Sequence, residues 1–327
     1  METTINNGGA AGAGGGLSIL PGEFNSPHLH LDFHARASGI QGLKGNHMRL
    51  ASSFNNGNQL RASAPLSDDQ IMRVAPSIFA TAAHESRSAR YTYVPTSNVL
   101  RGLRAEGFMP YMVAQSRARD ASKREFTRHM LRLRRQNGEA VVGAEVPEII
   151  LVNSHDGTSS YQMLAGLFRF VCSNGMVTPV GTADEIRVHH KGDIVGRVIE
   201  GAYEVVKEFD RVQDSANAMK LVTLNEGDRL QFARAALVAK YGETETGGQP
   251  ITEAQVLLPR RGADVGNDLW RTFNVVQENL ILGGISSRTT TGRRTSTRAV
   301  TGISQNVQLN RNLWTLADAM KQLKAAE

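Results

Sequence analysis

Residues 185–212 read EIRVHHKGDIVGRVIEGAYEVVKEFDRV. In the first few, Ile186 and Val188 alternate with polar neighbours, the period of two of a half-buried strand. Lys-Gly-Asp breaks that pattern. From Asp193 the apolar positions are Ile194, Val195, Val198, Ile199, Ala202, Val205, Val206, Phe209 and Val212. They recur every three or four residues and draw one stripe along a long helix, with Asp193 as its N-cap. The period changes at Gly192, and that change divides the chain.

Upstream, short apolar runs follow one another with polar breaks between them: RYTYVPT, FMPYMVAQSRA, FTRHMLRLRR, VPEIILVNSHDG and YQMLAGLFRFVCSNGM. Neighbouring strands joined by short turns predict an antiparallel, meandering sheet. Downstream, a second helix is expected over about 226–241, stopped by Gly242, and two more in NDLWRTFNVVQENLILGG and NRNLWTLADAMKQLKAAE. Strands followed by helices without strict alternation predict an α+β fold, an antiparallel meandering sheet followed by a helical C-terminal half. Residues 1–65 are rich in Gly, Ala, Ser and Asn and read as a flexible leader. Order is expected from Ser67, which caps SDDQIMRV. The sheet region then covers 66–192 and the helical region 193–327, the two packed as one domain.

The net charge is +6, and its distribution says more than its total. Between Arg101 and Ala140 ten Lys or Arg stand against four acids, so that segment alone is +6. A second basic stretch, from Asn279 to Ala317, holds five arginines and no acid. Positive charge gathered into patches points to a polyanionic partner. With FTRHMLRLRR read as a strand, Arg128, Met130, Arg132 and Arg134 share one face and His129, Leu131 and Leu133 the other. A row of guanidinium groups can follow a phosphate backbone by bidentate contacts; the plain alternative is a solvated face or ion pairs with a neighbouring strand. The flank QSRARDASKR adds Arg117, Arg119, Lys123 and Arg124. SSRTTTGRRTSTRAVTG adds Arg288, Arg293, Arg294 and Arg298 on an exposed loop whose hydroxyls suit phosphate contacts.

Other chemistry is weaker. HLHLDFH places His28, His30, Asp32 and His34 together, but no second ligand cluster has recognisable spacing, so no metal is expected. No glycine run is followed by Lys-Ser or Lys-Thr, and GAGGG follows no strand, so no nucleotide cofactor is expected. The single cysteine, Cys172, sits inside an apolar run before Ser-Asn-Gly and reads as a packed thiol. Its nucleophilic reading would draw on His189 or His190 as base. One cysteine and no export signal or long apolar stretch predict a cytoplasmic chain without a membrane span.

Several motifs together resemble the DUF932 family, a domain of unknown function of bacterial plasmids, prophages and phages: RYTYVPTSNVLRGLRAEGFMP, VCSNGM, IRVHHKGD, DLWRTFNVVQENLILGG and LNRNLWTLADAM. The resemblance implies a mobile-element setting and assigns no catalytic residue. The resulting expectation is a nucleic-acid-binding protein, single-stranded DNA favoured, with a role in recombination and with a homo-oligomer allowed for. A sheet followed by a long helix is compatible, by fold-level analogy, with single-strand annealing proteins. The alternatives are an interaction factor that binds a host defence protein or nuclease and, third, a cysteine-dependent hydrolase.

Overall fold

A computed structural model describes residues 58–87, 91–118, 120–136, 145–169, 174–178, 185–243, 250–288 and 292–327. The first elements are β1 (Gln59–Arg61), α1 (Asp68–Val74), α2 (Thr96–Ala105) and β2 (Phe108–Gln115). Four longer strands and a short one follow: β3 (His129–Arg135), β4 (Glu145–Asn153), β5 (Tyr161–Arg169), β6 (Asn174–Thr178) and β7 (Ile186–Val188). Then come α3 (Ile194–Lys207), α4 (Phe209–Leu221), α5 (Glu226–Tyr241), α6 (Glu253–Val256) and α7 (Leu269–Leu282). A hairpin, β8 (Ser286–Arg288) and β9 (Arg294–Ser296), precedes the last helix, α8 (Ile303–Ala325).

Strands β1 to β6 lie side by side in chain order and every pair is antiparallel; β7 pairs with the start of β5. This is the meander that the alternating runs and turn signals imply. The sheet is apolar on both faces. On one face Val113, Leu131, Leu133, Leu151, Met163 and Leu167 join Val99 and Leu103 of α2 and Val198 and Ala202 of α3 in the main core. On the other, Met112, Met130, Ile150, Leu164 and Val177 pack with Ile303 at the start of α8. The face expected to carry a phosphate-contacting row of arginines is therefore a second core. Alternation within a strand shows which residues share a face, and the helix that covers that face comes from 170 residues further along the chain.

Asp193 caps α3 as expected, its carboxylate accepting from the Gly196 N–H at 3.0 Å. The stripe breaks at Glu208, which ends α3 and starts α4. Gly242, at φ +81°, stops α5. Helix α7 is buried along nearly its whole length, and its amide side chains tie it to neighbouring elements: Asn279 Nδ2 donates to the Val256 and Leu258 carbonyls, and Gln277 Nε2 to Asn310 Oδ1 at 2.6 Å. Gly283 follows at φ +63°, and a Cβ there would come within 2.6 Å of the Arg298 carbonyl carbon. Only glycine lets the chain leave α7 and pack against its own return.

Three local readings differ. The described part of RYTYVPT does not form a strand; residues 91–95 belong to no regular element and lead into α2, whose Val99, Leu100 and Leu103 bury one stripe. β1 lies inside the stretch read as a leader, because three residues carry no periodic signal. The basic stretch after α7 is a hairpin, and α8 begins seven residues before Asn310. The histidines at 28, 30 and 34 lie outside the described residues.

Candidate functional site

The arginines of β3 do not act together. Arg132 and Arg134 are 2% and 5% exposed and share the fully buried carboxylate of Glu148 on β4. Arg132 Nη1 donates to Glu148 Oε2 at 3.0 Å, and Arg134 Nε to Oε1 at 2.9 Å. Burial alone would raise the Glu148 carboxyl; Arg132, Arg134 and Arg61 outweigh it and hold it below its ordinary range. Arg132 Nη2 also donates to the Gly175 carbonyl at 3.0 Å, and Arg134 lies between the rings of Tyr111 and Phe168. These two guanidinium groups face the sheet's second core and no solvent, which corrects their place on a phosphate-contacting surface. The deciding partner, Glu148, stands 14 and 16 residues away in a strand whose register the sequence does not reveal.

Of the others, Arg117, Lys123 and Arg124 are exposed between β2 and β3, and Arg119 lies outside the described residues. Arg128 is half-buried and reaches two distant places, its Nη2 donating to the Thr158 carbonyl at 2.6 Å and its Nη1 to Ser304 Oγ at the first turn of α8. Arg288, Arg293, Arg294 and Arg298 are all exposed on the β8–β9 hairpin. Arg288 and Arg294 are direct cross-strand partners, and Arg288, Arg294 and Arg298 enter no ion pair among the described residues.

The hairpin is one wall of a groove of about 1000 Å³; α5 and α8 supply the others. Arg288 and Arg298 line it together with Lys240, and Ser287, Thr295, Ser296, Thr297 and Ser304 add hydroxyls; among the described residues no carboxylate lines it. Lys240 Nζ donates to the Leu280 carbonyl at 2.6 Å, and burial brings its amine down to about 8. The hairpin is held in place by Gln255, whose Nε2 donates to the Ser286 carbonyl at 3.0 Å, and by Ser287 Oγ, which donates to the Pro250 carbonyl. Lys240 and Ser304 give no sign in the sequence, because nothing in a helical Lys or Ser shows which side of its helix faces a hairpin.

A second polar cluster is buried where α2 meets the sheet. Its hydrogen-bond directions follow from groups that can only accept. Ser77 Oγ donates to Gln115 Oε1 at 2.9 Å, so it accepts from His129 Nδ1 at 2.8 Å. His129 Nε2 then accepts from the Thr96 hydroxyl at 2.9 Å. Thr96 Oγ1 accepts in turn from Asn153 Nδ2 and His155 Nε2, each at 3.1 Å. Asn153 Oδ1 accepts from His190 Nε2 at 3.0 Å, and Tyr161 donates to the Val94 carbonyl. These directions require a neutral His129, which donates from Nδ1 and accepts at Nε2. The buried Nδ1 atoms of His155 and His190 have no partner among the described residues that could share a second proton. Burial, reinforced by neighbouring histidines, holds His129 well below its ordinary value and brings His155 down to about 4; burial also lowers His190. Cys172 lies outside the described residues, while His190, one of its two candidate bases, is engaged by Asn153 and stacked on Tyr91 at 4.5 Å.

The family model for the domain of unknown function DUF932 matches residues 83–314, a span that takes in the sheet from β2 onward, α7 and the hairpin. The chain belongs to the DUF932 family. Two proteins of Escherichia coli (strain K12), the UPF0380 proteins YafZ and YfjQ, are each 52% identical over 272 residues, covering 83% of this chain and 97% of their own length. No solved structure matches it. The DUF932 match begins within the segment before α2 and ends inside α8, so the Thr96 cluster except Ser77, and all the groove arginines, fall within the matched span. No helix among the described residues is long and apolar enough to cross a membrane, and no group of His, Cys, Asp and Glu among them could hold a metal ion.

Proposed function

We propose that this DUF932 protein binds nucleic acid, single-stranded DNA by preference, through the groove beside the β8–β9 hairpin. The mobile-element setting, a role in recombination and a cytoplasmic location are parts of the same proposal. One observation carries it. The groove offers Lys240, Arg288 and Arg298 among hydroxyl and amide groups and, among the described residues, no carboxylate. Arg288 and Arg294 stand directly opposite each other across the hairpin with no acid to separate them. Like charges in that position are destabilising, and a phosphate between or beside them removes the penalty. Guanidinium, hydroxyl and backbone groups are those that contact phosphates, and they read no bases, so binding is expected to be tolerant of sequence. Arg128 belongs to the surface through Ser304; Arg132 and Arg134 do not.

The test is a salt series of binding to single-stranded, duplex and RNA oligonucleotides. For a single strand, log affinity should fall with log salt by about 0.7 per phosphate contact. The double variant Arg288→Gln/Arg298→Gln should weaken binding and reduce that slope by about 1.4, two contacts' worth, with an unchanged melting temperature. Absence of binding at low salt refutes the proposal and turns attention to an acidic protein partner for the same groove.

A further inference from the structure

A second recess, of about 490 Å³, opens beside the Thr96 cluster and is separate from the hairpin groove. Arg87, Tyr91, Thr158, Gln162, Arg187 and His190 are among its lining residues. No carboxylate lines it among the described residues. Asp156 is turned into its own loop, accepting from the Thr158 N–H and hydroxyl at 2.9 and 2.7 Å, and Glu185 pairs with Arg187.

Arg87 is held without being neutralised. Its guanidinium lies over the bare Cα of Gly157, where a Cβ would meet Nη1 at 1.7 Å. Gly157 has φ +78°, so the turn both needs glycine for its backbone and uses the missing side chain to seat the guanidinium. Nη2 donates to Ser86 Oγ at 3.0 Å, Nε is buried with no partner, and no acid pairs with Arg87 among the described residues. A fixed guanidinium with an idle buried donor is the complement of an oxyanion. A flat surface lies in the same recess: Tyr91 is stacked on His190 with 26° between the rings, and His190 is anchored by Asn153. Gln162 and Arg187 are cross-strand partners of β5 and β7, which brings an amide and a second guanidinium together at the wall. An amide can donate to and accept from the edge of a base, and an aromatic face can stack on it. The recess is also within the 300–1,000 Å³ typical of small-ligand sites.

We propose that this recess is a nucleotide subsite for one nucleoside monophosphate, free or as the phosphorylated end of a strand. The phosphate sits on Arg87 and Arg187, and the base lies against Tyr91 within reach of Gln162. Arg128 joins this recess to the groove, since it contacts Thr158 at one and Ser304 at the other. The inference does not rest on the groove: the recess has its own cations and its own platform.

The test is titration calorimetry of the full chain with AMP and dTMP, with the matching nucleosides, and with inorganic phosphate. The mononucleotides should bind more tightly than phosphate or nucleoside alone. Arg87→Gln should weaken them by about tenfold or more, Tyr91→Leu should weaken them, and Tyr91→Phe should retain binding, because it keeps the ring. The groove variant Arg288→Gln/Arg298→Gln should leave mononucleotide affinity unchanged. A 5′- or 3′-phosphorylated oligonucleotide that binds more tightly than its unphosphorylated counterpart, with the difference lost in Arg87→Gln, identifies a strand end as the ligand; no difference identifies the free nucleotide. Failure of both mononucleotides to saturate, or a loss in the groove variant with none in a folded Arg87→Gln, overturns the inference. Salt-dependent binding of single-stranded DNA that persists beside a blank mononucleotide titration removes this subsite alone and leaves the groove in place.

Discussion

Replacing Glu148 with Gln should be among the most damaging single substitutions in the sheet. The carboxylate is 0% exposed and is the acid shared by Arg132 and Arg134. Glutamine keeps the shape and one acceptor oxygen, but it removes the charge and turns an NH₂ toward a guanidinium group that needs an acceptor. Breaking a buried pair by deleting one partner costs about 3–5 kcal/mol, because the remaining charge has no compensation. Two features pull the expectation toward the lower end. Arg132 keeps the Gly175 and Met176 carbonyls, and Arg134 keeps the faces of Tyr111 and Phe168, each cation–π contact being worth up to about 2 kcal/mol when desolvated. The expected loss is therefore about 3 kcal/mol, a large share of the roughly 5–15 kcal/mol of a folded protein. Urea unfolding of the two proteins at neutral pH measures it as a shift in midpoint at constant slope. The salt slope of nucleic-acid binding should not move, since neither arginine reaches solvent. A loss below about 1 kcal/mol, the range of ordinary surface changes, would refute the buried-pair account. An altered salt slope in a folded variant would return the β3 arginines to the binding surface.

Acid should begin to weaken the fold near pH 6.5, above the ordinary carboxylate range: His155 falls from the ordinary 6.5 to about 4 in the folded chain, so the unfolded chain binds the extra proton between those values. Stability present above pH 6.5 is lost as pH falls toward 4, by about 3 kcal/mol from this residue at 1.36 kcal/mol per unit; a melting temperature flat across that window would contradict a neutral cluster. Thr96→Val should cost about 2–4 kcal/mol by stranding the Asn153 and His155 donors at about 1–3 each, whereas Thr96→Ser should cost under about 1; equal losses in thermal unfolding would show that the methyl group matters and the hydroxyl does not. Gly175→Ala should destabilise by about 1–3 kcal/mol, because its Cβ would stand 2.3 Å from Arg132 Nη1; a neutral result in urea would mean that the guanidinium has room to move.

The element order was legible because it depends on local periodicity. The switch at Gly192, the Asp193 cap and the Gly242 stop are each decided within a few residues. What covers a face is not local. Nothing in HMLRLRR distinguishes a solvated arginine row from one buried against Ile303, and nothing assigns Glu148 to those arginines before the register of β3 and β4 is known. The Ser-Asn-Gly motif shows the same limit. It reads as a turn, yet Gly175 lies in β6 opposite Phe168, and its missing side chain makes space for Arg132. The hairpin arginines were visible as a charge run, and their groove was not, because Lys240 and Ser304 reach it from other helices. The Thr96 cluster was not legible: His190 stood out only as a base for Cys172, and Thr96, His129 and the Asn153–His155 pair come from separate parts of the chain.

The Arg132–Glu148–Gly175 arrangement also constrains how such a chain can drift. Three strands each contribute one part, and no part is useful without the others: an acid at 148 is a liability without its arginines, and a side chain at 175 excludes one of them. Single steps away from it lead through poorly folded intermediates, while a coordinated change to an apolar set of similar volume is open. A mutational library of this domain should thus show strong epistasis among these positions, with multiple replacements surviving where their component singles do not. Arg132→Lys should rank with the failures, since an ammonium cannot serve the carboxylate and the carbonyls of β6 at the same time.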